Sequence, residues 1–202
     1  MGSMETPPTA QKVAGSKEDK RQALVQAAFN QIAERGFEGL RTREVAAEVG
    51  VNIATLHYYF PTKEALIRAV LELSMRRFRS TLTPHGSSAD QLRNHLRAVR
   101  RMLGTEPQVG AVMAELALRS ARDPVIAGIM QETNGAWHRM VRGLLKRAAR
   151  DGHIRAELDS DDVASIILAT LTSMTLPAVA GAARSDEALR QLERWLGISS
   201  SE

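Results

Sequence analysis

A chain of 202 residues, 44% hydrophobic and 25% charged, holds enough apolar material for a buried core and sits at globular averages, which excludes a wholly disordered, collagen-like or membrane-embedded polypeptide. The absence of cysteine excludes a disulfide framework, a thiolate metal site and a cysteine nucleophile. Twenty-seven Lys and Arg against 23 Asp and Glu leave a net charge of +4, a surplus that permits a polyanionic partner without requiring one.

The chain opens on Met1-Gly2-Ser3 before Met4, which reads as an expression scar. Residues 1–17 carry Pro7-Pro8 and Gly15-Ser16 with little to bury, so a mobile tail is expected there, either an expression leftover without function or a DNA-clamping arm. No apolar stretch near it resembles a signal-peptide core. From residue 17 onward nearly everything reads helical, with no sustained period-two alternation. Lys17 to Arg35 places Leu24, Ala28 and Ile32 on one face, and Gly36 suits a left-handed stop. Thr42 is expected to cap a short helix through Val49, ended by Gly50. Asn52 caps a second short helix to about Tyr59, where Pro61 stops it. Thr62 caps a longer helix through about Arg79.

Thr83-Pro84-His85-Gly86-Ser87-Ser88 is the best candidate boundary. Helices are then predicted over Ala89–Leu103, Val109–Arg122, Pro124–Arg150, Asp161–Ala180 and Asp186–Leu196. Asp123-Pro124 sets a cap before a first-turn proline, and Asp159-Ser160-Asp161-Asp162 loads a first turn with negative charge. Val163 to Ala183 lacks charge and is long enough to cross a bilayer. Its five Ser and Thr residues and many alanines make it only weakly apolar, so a protein-buried helix, kinked at Pro177, is expected and no membrane span.

The short pair over residues 42–59 has the lengths, turn glycine and apolar placement of a helix-turn-helix. Val45, Val49, Val51 and Leu56 pin the two helices together, freeing the outer face of Ile53–Tyr59 for a major groove. The surroundings are specific. Gly36-Phe37-Glu38-Gly39-Leu40-Arg41-Thr42-Arg43-Glu44-Val45-Ala46 leads into Gly50-Val51-Asn52-Ile53-Ala54-Thr55-Leu56-His57-Tyr58-Tyr59-Phe60-Pro61-Thr62-Lys63-Glu64-Ala65-Leu66. Over about residues 18–80 this closely resembles the N-terminal DNA-binding domain of the TetR family of bacterial transcriptional regulators.

The resemblance implies a phosphate contact at Thr42. Asn52, Ile53, Ala54 and Thr55 fall at the groove-facing start of the recognition helix, and Lys63 falls where the family grips a phosphate. His57 stands where the family most often has tyrosine, and Tyr59 where it has histidine. His57 and Tyr58 are therefore expected at DNA, and Tyr59 half-buried. Arg41 and Arg43 are either DNA contacts or solvated charges. Arg76, Arg77 and Arg79 end the fourth helix, where they meet DNA or the helix dipole. Residues 1–80 hold 12 Lys and Arg against 9 Asp and Glu, and residues 81–202 hold 15 against 14, so the surplus lies on the DNA half.

The fold expected is all-α. It has a helix-turn-helix head over residues 18–64, a linking helix to about 80, and a helical ligand-sensing and dimerisation domain over 81–202. The family builds its dimer from two C-terminal helices of each subunit, which here implicates Ile166, Leu171, Leu189, Leu192, Trp195 and Leu196. Met102, Met113, Leu116, Met130, Trp137, His138, Met140 and Met174 read either as an adaptable apolar pocket or as plain bundle core. No His-Glu-x-x-His pattern, phosphate loop or Gly-x-Ser-x-Gly elbow occurs, so no catalytic residue, metal or cofactor is expected. The function expected is a cytoplasmic, nucleoid-associated bacterial repressor. It would act as a homodimer on a palindromic double-stranded operator and be released by a small, largely apolar effector. The alternative is a DNA-binding regulator without an inducer, governed by abundance or a protein partner.

Overall fold

The computed structural model of the protein describes residues 16–198 apart from 177 and 180. The predicted tail up to residue 15 and the expected kink at Pro177 lie outside the described residues. Those residues form nine α-helices and one 3-10 turn, with no strand. The helices are α1 (Lys17–Arg35), α2 (Thr42–Glu48), α3 (Ile53–Tyr59), α4 (Lys63–Ser80), α5 (Ser88–Thr105), α6 (Pro107–Ser120), α7 (Pro124–Arg150), α8 (Ser160–Ser173) and α9 (Ala182–Leu196), with the 3-10 turn at Phe37–Gly39.

Local chemistry fixes most of the ends. Ser16 and Asp19 form a capping box at the start of α1, and Ser87 and Asp90 form another before α5. Asp123 accepts the Val125 and Ile126 amides ahead of Pro124, and Asp159 accepts those of Asp161 and Asp162. Thr62 accepts the Ala65 amide. At the end of α2 the Val51 amide donates to the Ala46 carbonyl (2.9 Å) and the Gly50 amide to that of Ala47 (3.0 Å). This doubly bonded stop needs a left-handed residue, and Gly50 has φ +72°.

Two predicted ends shift. Thr42 is the first helical residue of α2 rather than its cap: Arg41 holds the extended cap conformation and no side chain caps this helix. The helix predicted over Asp161–Ala180 stops at Ser173. Past Ser173 the Thr175 and Leu176 amides donate to the Thr172 (3.0 Å) and Ser173 (3.1 Å) carbonyls, three residues back, and this tightened turn ends the α-helical ladder. At 14 residues α8 is short, and no helix among the described residues is long and apolar enough to cross a membrane.

One hydrophobic core runs through the molecule. Leu24, Ala28, Phe29 and Ile32 of α1 are buried together with Val45, Leu56, Phe60 and the inner face of α4. The same core continues through Leu92, Leu96 and Val99 of α5 and Leu116 of α6. It extends to Val141, Leu144 and Leu145 of α7 and on to α8 and α9. α4 packs on α1 at one side and on α7 at the other, and α6 packs on α1. Each fully buried Leu or Ile contributes roughly 1.5–3 kcal/mol relative to exposure.

Candidate nucleic-acid interface

The recognition helix owes its orientation to a few apolar anchors. Leu56 and Phe60 are buried, while Val49, Val51 and Ile53 are half-buried against the core. With Leu56 facing inward, 100° per residue turns Ala54 and Tyr58 outward and His57 to one flank. All three are exposed. Tyr59 is half-buried and stands edge-on to Tyr58, ring centroids 5.2 Å apart. Asn52 caps α3 as expected: its Oδ1 accepts the Thr55 amide at 2.8 Å and the Thr55 hydroxyl at 2.9 Å. That oxygen is committed, which leaves the Asn52 amide group as its donor toward DNA.

The other predicted contacts are distributed around this face. Arg43 is exposed and Thr42 half-buried, and as first helical residue Thr42 has no capping bond to hold its hydroxyl. Arg41 folds back, its guanidinium donating to the carbonyls of Glu38 and Leu40 while its backbone amide donates to Gln31 Oε1 (3.2 Å). Lys63 lies with its ammonium 4.7 Å from the Phe37 ring centroid. Partial burial lowers its pKa; Glu38 opposes that shift, and Arg41 and Arg119 add to it. Arg77 pairs with Glu106 at 3.1 Å and covers the Phe29 ring.

Three contributors escaped sequence reasoning. Lys17, at the first residue of α1, donates to the Tyr58 hydroxyl at 2.7 Å. Glu115 of α6 accepts the Phe37 amide at 3.0 Å, and Arg119 pairs with Glu38 at 2.8 Å and covers the Phe37 ring. These links join positions 41 and about 80 apart, and no helical period carries such a signal. Gly36 serves the second link, since its φ of +71° aims the Phe37 amide at Glu115.

Two family models fit the chain: "Bacterial regulatory proteins, tetR family" over residues 24–70, and "Tetracyclin repressor-like, C-terminal domain" over residues 82–191. The chain belongs to the TetR family of bacterial regulatory proteins. The HTH-type transcriptional regulator RutR of Escherichia coli is 32% identical over 129 residues, 54% of this chain and 61% of RutR. The match thus spans about six-tenths of that relative. The HTH-type transcriptional repressor KstR2 of Mycobacterium tuberculosis is 24% identical over 154 residues, 74% of this chain and 76% of KstR2. A TetR-family regulator from Rhodococcus sp. superposes with a TM-score of 0.82 at 22% identity, covering 89% of this chain and 98% of that one. A regulator from Saccharomonospora viridis in complex with choline superposes at 0.73, with 19% identity and coverage of 88% and 97%.

In this TetR-family chain the predicted pocket residues divide. Met102, Met113, Leu116, Met130, Trp137 and Met174 are buried, and Met140 is half-buried. His138 does not join them. One residue past Trp137 it points some 100° away, and its Nε2 lies 3.1 Å from the Asp161 carbonyl and from Ser165 Oγ, on the seam between α7 and α8. The histidine at Trp137 is His95, fully buried, with Nε2 accepting from Trp137 Nε1 at 3.0 Å. The sequence signal for it was its place among Leu92, Leu96 and Val99 on the apolar face of α5.

The predicted dimer residues divide too. Leu171, Leu189, Leu192 and Leu196 are buried within the protomer, so their apolar surface is already covered. Ile166 is 47% exposed and Trp195 half-buried. Ser165, Ile166, Ala169 and Thr172 form the outward stripe of α8. Among the described residues no cluster of His, Asp and Glu is arranged to hold a metal ion.

Proposed function

We propose that this TetR-family protein is a homodimeric, sequence-specific DNA-binding repressor, with a head over residues 18–64, a linking helix to about 80 and an effector-binding body beyond. The observation that carries this reading is the outward face of α3. Ala54, His57 and Tyr58 project from a helix pinned by Leu56 and Phe60. Asn52 caps its start, and Arg43 and Lys63 flank it on neighbouring helices. Base edges are read from Asn52, Ile53, Ala54 and Thr55, with the half-buried Ile53 offering only its edge to a thymine methyl. Thr42, Arg43, His57, Tyr58 and Lys63 hold phosphates, and Arg41 joins them by releasing its backbone carbonyls.

The dimer forms through the outward stripe of α8 around Ile166 and through Trp195 of α9, and it sets two α3 helices about 34–36 Å apart on a near-palindrome. The buried methionines and Trp137 form the wall of an apolar effector site, an environment that repacks readily. The choline complex of the Saccharomonospora relative supports a small-molecule effector for this architecture. The protein then acts in the bacterial cytoplasm, on the nucleoid. Selection from random duplex DNA at low salt tests the reading: an enriched inverted repeat is expected, and no enrichment overturns it. A thermal-shift screen of apolar metabolites separates the effector-bound repressor from one governed by abundance or a protein partner, because a true effector raises stability by mass action.

A further inference from the structure

We infer that Lys17 and Tyr58 act together as a phosphate clamp that extends the DNA interface from α3 onto the start of α1. The inference rests on the DNA-binding reading above and gives a specific partner and role to Lys17, the last residue of the stretch read from sequence as a tail. Tyr58 is 66% exposed and lies one turn after Ala54 on the outward face of α3, about 6 Å further along the helix axis. Its ring is braced by the edge-on contact with Tyr59. Its hydroxyl accepts from the Lys17 ammonium at 2.7 Å. A phenol that accepts a hydrogen bond keeps its own proton to donate. A lysine ammonium has three protons, and among the described residues one is used.

Among the described residues the positive charge faces no carboxylate, and Lys17 makes no ion pair. Its acidic neighbours are committed elsewhere: Asp19 to the capping box with Ser16, and Glu18 to Gln22 and Arg21. The contact with Tyr58 raises the Lys17 pKa, so the ammonium stays charged. Two donors, one cationic and one neutral, therefore converge on the groove-facing side of the recognition helix. A phosphodiester oxygen accepts from both at once. A base edge suits the pair less well, because a flexible point charge at the far end of α3 carries little positional information, whereas the capped start at Asn52 is rigid.

The test uses the full chain and the operator obtained by selection, with affinity measured across a four-fold range of salt. Wild-type protein must bind with a steep salt dependence, and failure there overturns the DNA-binding reading itself. Given that binding, Lys17→Ala is expected to lower the slope of log affinity against log salt by about one unit, so that its affinity falls about 3.5-fold less over that range. It weakens operator and unrelated duplex by the same factor. Lys17→Arg restores the slope. Tyr58→Phe weakens binding but keeps the slope, and the Lys17→Ala change has a smaller effect in that background. Lys17 is exposed, so melting temperatures should match wild type. A wild-type slope for Lys17→Ala, or a changed base preference at one operator position with the slope intact, overturns the clamp.

Discussion

Acidification is expected to destabilise the body of this protein through one buried group, His95. Trp137 can only donate, so its bond to Nε2 fixes the neutral tautomer with the proton on Nδ1. That proton is donated to Thr81 Oγ1 at 2.7 Å, and the Thr81 hydroxyl donates in turn to the Phe78 carbonyl at 2.7 Å. The chain of bonds ties α7 and α5 to the end of α4, and every polar atom in it has a partner. Protonating Nε2 would set a proton against the indole N–H and charge a ring with no exposure to water. Burial accordingly holds the His95 pKa down at about 4, from 6.5. Below pH 6.5 the unfolded chain binds a proton that the folded chain refuses. Stability is thus present above the unfolded value and is lost as pH falls toward 4. The full loss is about 3 kcal/mol, of which about 2 kcal/mol is gone at pH 5. For a chain of this size that corresponds to a melting temperature about 4–8 °C lower than at pH 7.5. Denaturation of wild type and His95→Gln at both pH values, at one protein concentration, isolates the effect from other titrating groups. The variant should lack most of the pH-dependent loss. Trp137→Phe offers a second route, since removing the indole donor frees Nε2 to take a proton and should shrink the loss. Equal pH-dependent losses in wild type and both variants would refute the argument.

Further expectations follow from single contacts. Asn52→Ala removes the cap of α3 and should cost about 1 kcal/mol in chemical denaturation, with weaker operator binding because the helix start frays; unchanged stability would mean the cap is replaced by water. Gly36→Ala meets both a backbone at φ +71° and ψ 177°, a region nearly restricted to glycine, and a Cβ 3.0 Å from Glu115 Oε2. It should lose about 1–3 kcal/mol of stability, and hydrogen exchange should show the Phe37 amide losing protection. Ile166→Asp places a charge on the outward stripe of α8. In the proposed dimer it should raise the dissociation constant at least about ten-fold in sedimentation velocity, equivalent to about 1.4 kcal/mol, while the monomer stays folded.

The head was legible in sequence because its ends carry their own chemistry. Asn52, Thr62 and Gly50 each satisfy or terminate local backbone groups, and the structure places helix ends at or beside them, as it does in the body at Asp123-Pro124. The body was legible as helices but not as surfaces. A stripe such as Leu189, Leu192 and Leu196 signals that something covers it; the period is the same whether the cover is α5 of the same protomer or a second copy. Here the protomer covers it. His138 and Trp137 are adjacent in sequence, and adjacency in a helix means divergence by some 100°, so the polar partner of Trp137 had to come from another helix. Thr42 differs in kind. It has the residue type of a cap, but the extended conformation falls on Arg41, whose amide is held by Gln31 of α1, a tertiary bond that local preference does not include.

The contacts between body and head have a firm side and a soft side, and the distinction bears on any effector. α4 is firm: Leu66, Ile67, Val70, Leu71, Met75 and Phe78 are all buried, so shifting it means repacking a core shared by head and body. α6 also packs apolar residues on α1, with Val112 and Leu116 fully buried, so only its polar joint is soft. The Glu115 bond to the Phe37 amide contributes about 1.5–3 kcal/mol, and the more exposed Arg119–Glu38 pair at most about 1 kcal/mol. An effector moves the head only through unequal affinity for two arrangements, and a typical coupling of 1–3 kcal/mol matches the soft joint rather than the core. Phe37 lies between these helices, with the Lys63 ammonium 4.7 Å and the Arg119 guanidinium 4.8 Å from its ring centroid. Loosening this polar joint therefore alters the surroundings of Lys63, the residue proposed to hold a phosphate, before it disturbs the apolar anchors that aim α3.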